Sequence, residues 1–160
     1  MFTSILLCSH GSEGAQKAEK YVFEKLIPSF PDAEITLLTI IDKDWSTMSS
    51  DDWLNTSTTR TVFKDYVQEQ LGREIDEDWH RIRKIYPTSQ AARFMKVVGG
   101  IEETIAEVAA KLHCDLVVLG GINKKPMRLL SVTMHKGLAA TVSNDVLHPL
   151  LPCPLMVIAK

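Results

Sequence analysis

The apolar run "CDLVVLGG" ends at Gly120-Gly121, and a long polar and basic tract separates it from the next helical pattern. A glycine pair leaving a strand is suited to anion binding. It permits positive φ and lets backbone N–H groups approach a phosphate oxygen. Asn123 stands where a further glycine would serve, and asparagine tolerates the left-handed region better than most residues. Lys124, Lys125 and Arg128 offer charge-assisted contacts to phosphate, or else form an ordinary solvated loop. Thr141, Val142 and Ser143 precede the last helical segment. The two hydroxyls among them suit either a phosphate or the cap of that helix.

A second turn-rich break, "SHGSEG", follows the first strand-like run and carries Ser9 and His10. The His10 ring can donate to or accept from a base or ribose hydroxyl, or it can fill its place with no ligand. His113-Cys114 has the composition of half a zinc site. No second pair at ligand spacing accompanies it, so a helix-end histidine beside a buried thiol is the preferred reading. His135 and His148 are isolated. No Ser-His-Asp, Cys-His or carboxylate pair has a local signature. No Walker-type Lys-Ser/Thr follows the glycine pair, so the magnesium handle of a P-loop is missing. These residues point to binding rather than catalysis.

Five apolar runs must position them: "TSILLCS", "AEITLLTII", "ARFMKVVGG", "DLVVLGG" and "PLMVIAK". Between them, helical spacing appears at Ala15, Ala18, Val22 and Leu26, with Pro28 and Pro31 closing that segment. It reappears from Thr61 to Tyr86, at Ile101, Ile105, Val108 and Leu112, and in a last helix from about Ser143. Strict alternation of strand and helix predicts an α/β fold, with a parallel sheet covered on both faces. The expected form is an open five-stranded parallel sheet in order 3-2-1-4-5, Rossmann-like. Ligands of such sheets lie beyond the carboxyl ends of the strands, at the point where the winding reverses. Here that point falls between strands one and four, so both glycine-rich breaks face one crevice. The polar tract between strand two and the long helix carries Trp45 and Trp53, read as anchors holding that loop to the core.

At 160 residues the chain suits one domain, residues 1–160, with a full core. A net charge of −2 gives no broad drive toward nucleic acid or an anionic membrane. No apolar run approaches the ~20 residues of a membrane span. The opening residues lack a basic leader and read as a strand rather than a signal peptide. Cys8, Cys114 and Cys153 are odd in number and border strand-like runs, which suggests buried thiols and a reducing, cytoplasmic setting.

The opening "ILLCSHGSEGAQKA", the stretch "VVGGIEETIAEVAAKLHCDLVVLG" and the ending "SNDVLHPLLPCPLMVIAK" resemble the universal stress protein family over almost the whole chain. Ser143-Asn144-Asp145-Val146 and Cys153-Pro154 match the family's closing helix and strand. The resemblance implies a cytoplasmic sensor or adaptor that dimerises by pairing its last strand, here Leu155, Met156, Val157, Ile158 and Ala159. ATP-binding members carry Gly-x-x-Gly, nine residues, then Gly-Ser or Gly-Thr. In this chain the first glycine matches Gly120, Asn123 replaces the second, and Ala140 replaces the third, with Thr141 in the hydroxyl position. Sixteen residues, Lys124 to Ala139, fill the nine-residue gap, and His10 stands where the family has aspartate. The expectation is an altered, weakened site for ATP or AMP. Its residues would be Ser9, His10, Gly120, Gly121, Asn123, Lys124, Lys125, Thr141, Val142 and Ser143, with Ile40 and Ile41 flanking the base. The alternatives are a non-nucleotide module binding an unidentified protein partner, and a slow nucleotide hydrolase.

Overall fold

The computed structural model describes residues 1–9, 11–42, 57–121 and 144–158, with side chains described throughout except at 57–64 and 144–145. Strands β1 (Ser4–Cys8), β2 (Glu34–Asp42), β3 (Arg93–Gly99), β4 (Leu116–Gly120) and β5 (Leu155–Ile158) form one sheet in the order β3-β2-β1-β4-β5. All four pairings are parallel, as the alternating pattern predicts. The helices are α1 (Glu13–Tyr21), α2 (Ile27–Ser29), α3 (Ser57–Ile85), α4 (Ile101–Lys111) and α5 (Asn144–Leu147).

Strand alternation divides the core in two. Ile5, Leu7, Leu37 and Val118 face α1 and α3, meeting Ala18, Leu71, Ile75 and Ile82. Leu6, Cys8, Leu38 and Val117 face the other way, against Ile105, Val108 and Ala109 of α4 and Leu147 of α5. Full burial of a side chain such as Leu71 or Ile82 stabilises the fold by ~1.5–3 kcal/mol. This two-sided burial is why the central strands read as continuous apolar runs.

The first helical path ends at Ser29, between Pro28 and Pro31 as expected, with Pro28 inside its last turn. Proline lacks an N–H and crowds the carbonyl four residues back. The chain accommodates this with a wider π-helical turn, Val22–Leu26, in which the Ile27 N–H reaches the Val22 carbonyl. Helix α3 starts at Ser57, earlier than the Thr61 expected, and stops at Ile85, one residue before Tyr86. Pro87 then opens a short 3-10 turn. Helix α4 ends in a Schellman motif: the Cys114 N–H donates to the Ala109 carbonyl at 2.8 Å and the His113 N–H to that of Ala110 at 3.1 Å. His113 occupies the left-handed position at φ 50°. This is the helix-end role read for it from sequence.

Candidate functional site

At the reversal point, β1 is flanked by β2 and β4, and its register aligns Cys8 with both Leu38 and Leu119. One residue further along, Thr39, Ser9 and Gly120 therefore stand in a single row across the carboxyl end of the sheet. The Ser9 N–H extends the ladder to the Leu38 carbonyl at 3.0 Å, and the Gly121 N–H reaches the Ile158 carbonyl at 2.8 Å. The loops leaving β1 and β4 thus depart side by side. Strand β2 runs three residues beyond that row to Asp42.

Of the residues expected here, the structure brings together Ser9, Gly120, Gly121, Ile40 and Ile41. His10, Asn123, Lys124, Lys125, Thr141, Val142 and Ser143 lie outside the described residues, as does Ala159 of the expected dimer strand. Ile40 packs toward α4 and Ile41 toward α3, since they are neighbours on a strand. They sit on opposite faces of the sheet, so one ligand face cannot pack against both.

Gly120 has a structural task of its own. A methyl group built on it would lie 2.2 Å from the Gly14 carbonyl oxygen, and one on Gly14 would lie 2.0 Å from the Gly121 oxygen. Backbone of α1 therefore rests directly on backbone of β4, which only glycine allows. Between Ser9 and α1 the chain turns at Gly11, with φ 77°, and Ser12 caps the helix by accepting from the Ala15 N–H at 3.1 Å.

The side chain of Ser9 points inward. Its hydroxyl donates to Glu19 of α1, which is fully buried, and the second Glu19 oxygen accepts from Arg81 of α3 at 2.8 Å. Arg81 also donates to Asp78 at 2.8 Å. The Ser9 carbonyl accepts from the Thr39 hydroxyl at 2.8 Å, and that hydroxyl accepts from the Trp79 indole N–H at 3.2 Å. Burial pushes the Glu19 carboxyl above its ordinary value, against the hydrogen bonds from Ser9 and Arg81. No sequence motif singles out this group. Its only signal is a carboxylate between Ala18 and Val22 on the apolar stripe of α1, and an arginine between Trp79 and Ile82 on that of α3.

Cys8 and Cys114 are buried, as expected, whereas Cys153 is half-buried. Burial pushes the thiols of Cys8, Cys114 and Cys153 upward, and all three are free. Among the described residues no group of three or more His, Cys, Asp or Glu side chains could hold a metal ion, and no helix is long and apolar enough to cross a membrane. A cleft of about 470 Å³ beside β3 is bordered by Ile41, Gly72, Arg73 and Lys96. Arg73 pairs with Glu69 and Lys96 with Asp76, so its charges are internally matched.

The same architecture recurs among known proteins. Residues 1–159 match the model of the universal stress protein family. No curated protein sequence matches the chain. Among solved structures, the hypothetical protein MJ0577 superposes with a TM-score of 0.71 at 19% identity, covering 100% of this chain and 97% of that one. Universal stress protein UspA from Lactobacillus plantarum gives 0.65 at 20% identity, covering 98% and 97%. An Arabidopsis thaliana universal stress protein family protein with AMP bound gives 0.53 at 15% identity, covering 99% and 92%.

Proposed function

The chain belongs to the universal stress protein family, and from that premise we propose that it is a cytoplasmic, dimeric sensor or adaptor with an altered adenine-nucleotide site. The observation that carries this reading is the row in which Ser9 and Gly120 stand together where the sheet reverses. The Arabidopsis relative with AMP bound supports adenine nucleotide as the ligand class. Lys124, Lys125, Thr141 and Ser143 belong to the segment that would meet the phosphates. A charged hydrogen bond there contributes about 1.5–3 kcal/mol and offsets the backbone approach that the replaced glycines would have allowed. The protein binds; it is not an enzyme in this reading.

One observation favours a second reading, a protein-interaction module without nucleotide. The contact with Gly14 accounts for Gly120 whether or not a ligand is present. Native mass spectrometry of protein purified without added nucleotide, and calorimetry with ATP, ADP and AMP, separate the two. The nucleotide site predicts heat from at least one of the three, reduced at high salt and in Lys124→Ala and Thr141→Ala. Absence of heat from all three selects the interaction module.

A further inference from the structure

Both polar groups that Ser9 presents to the core are tied to α3, by separate routes. One runs from the Trp79 indole through the Thr39 hydroxyl to the Ser9 carbonyl. The other runs from Arg81 through the Glu19 carboxylate to the Ser9 hydroxyl. Ser9 is the last described residue before the turn at the reversal point, and α3 covers the β2 and β3 half of the sheet. Thr39, Trp79 and Glu19 are buried. A hydrogen bond lost there leaves its partner without water to replace it, so these two ties are not free to slip. Trp79 is held in turn by Phe94 of β3, with ring centroids 5.4 Å apart in edge contact, and Lys96 lies above it. Helix α3 and the β1 exit therefore share one polar scaffold.

We infer that Ser9 is the junction coupling the crevice to α3, with Thr39 and Glu19 as its positioning residues. The inference rests on the adenine-nucleotide reading for its ligand. An occupant that shifts the β1 exit must strain or relax both ties, and so is reported at Trp79. Equally, a partner that displaces α3 alters the crevice, because coupling between two sites is reciprocal.

The test has two arms. In the first, exchange of the Ser9 amide, whose N–H donates to the Leu38 carbonyl at 3.0 Å, is followed by NMR without ligand. Thr39→Val removes one tie and Arg81→Gln weakens the other. Each is expected to speed exchange at this amide about tenfold while core amides such as Leu6 and Leu37 keep their protection. Thr39→Ser restores the hydroxyl and the slow exchange. Arg73→Ala, on an exposed part of α3, leaves it unchanged. In the second arm, Trp45→Phe/Trp53→Phe leaves Trp79 as the sole tryptophan. AMP is titrated with calorimetry and emission read together. Binding is expected to move the Trp79 emission, and Thr39→Val and Arg81→Gln to weaken AMP several-fold. Unchanged exchange at Ser9 in both variants overturns the inference. So does AMP heat with a silent Trp79 and unaltered affinity in both. No AMP heat, with exchange still loosened, sinks the nucleotide reading and leaves the junction standing.

Discussion

Gly14 of α1 and Gly120 of β4 touch backbone to backbone, and a methyl group at either position meets main-chain atoms that cannot rotate away. In an exposed helix, Gly→Ala would gain about 1 kcal/mol from propensity. Here the overpacking cost of about 1–3 kcal/mol outweighs that gain, because two elements must separate to admit the methyl. Gly14→Ala should therefore lower the urea midpoint; a higher midpoint would show that helix propensity governs the site. His113 is the opposite case. It holds the left-handed position of a Schellman motif at φ 50°, where a Cβ is strained and glycine is not. His113→Gly should raise stability by about 0.5–1 kcal/mol, less than the full strain because glycine also loosens the unfolded chain. Thermal and urea unfolding both read this change.

Strand β5 is the element on which the proposed dimer depends. The Val117 N–H donates to the Pro154 carbonyl and the Gly121 N–H to the Ile158 carbonyl, so even-numbered residues of β5 face β4. Backbone groups of Leu155 and Val157 then face the open edge. Val157 is also 41% exposed, on an apolar strand that natural proteins seldom leave uncovered. Val157→Pro removes an outward N–H while sparing the ladder to β4. In the proposed dimer, sedimentation should fall from about twice the 17.9 kDa chain mass to the chain mass itself. A wild-type monomer, or a dimer indifferent to the proline, would reject pairing through this strand.

Across the whole molecule, two carboxylates give stability opposite dependences on pH. Desolvation alone would raise the Asp115 carboxyl, but the N–H and hydroxyl of Thr3 and the Ser4 N–H outweigh it and hold it below its ordinary value. Its contribution is present above the unfolded value of 3.8 and is lost as pH falls through the lower folded value. Asp115→Asn should thus cost stability at neutral pH, and the cost should vanish in acid once the wild-type carboxyl is protonated. Glu19 is raised, so the folded state favours its protonated form, and stability declines as pH rises above 4.5 and through the higher folded value. Glu19→Gln should abolish that decline. Urea midpoints measured from about pH 3 to pH 8 separate the two variants. The sequence by itself determined the five strands, their alternation with helices and hence a parallel sheet. Those follow from apolar periodicity and from glycine and proline breaks, which are local properties of the chain. It also marked Gly120, yet as a ligand glycine, because the approach of Gly14 from more than a hundred residues away has no local trace. Only the tertiary structure joined Ser9, Glu19, Thr39, Trp79 and Arg81. A buried charge is stable only beside partners that burial brings to it, and those partners are neighbours in space, spread over two helices, the exit of β1 and the body of β2.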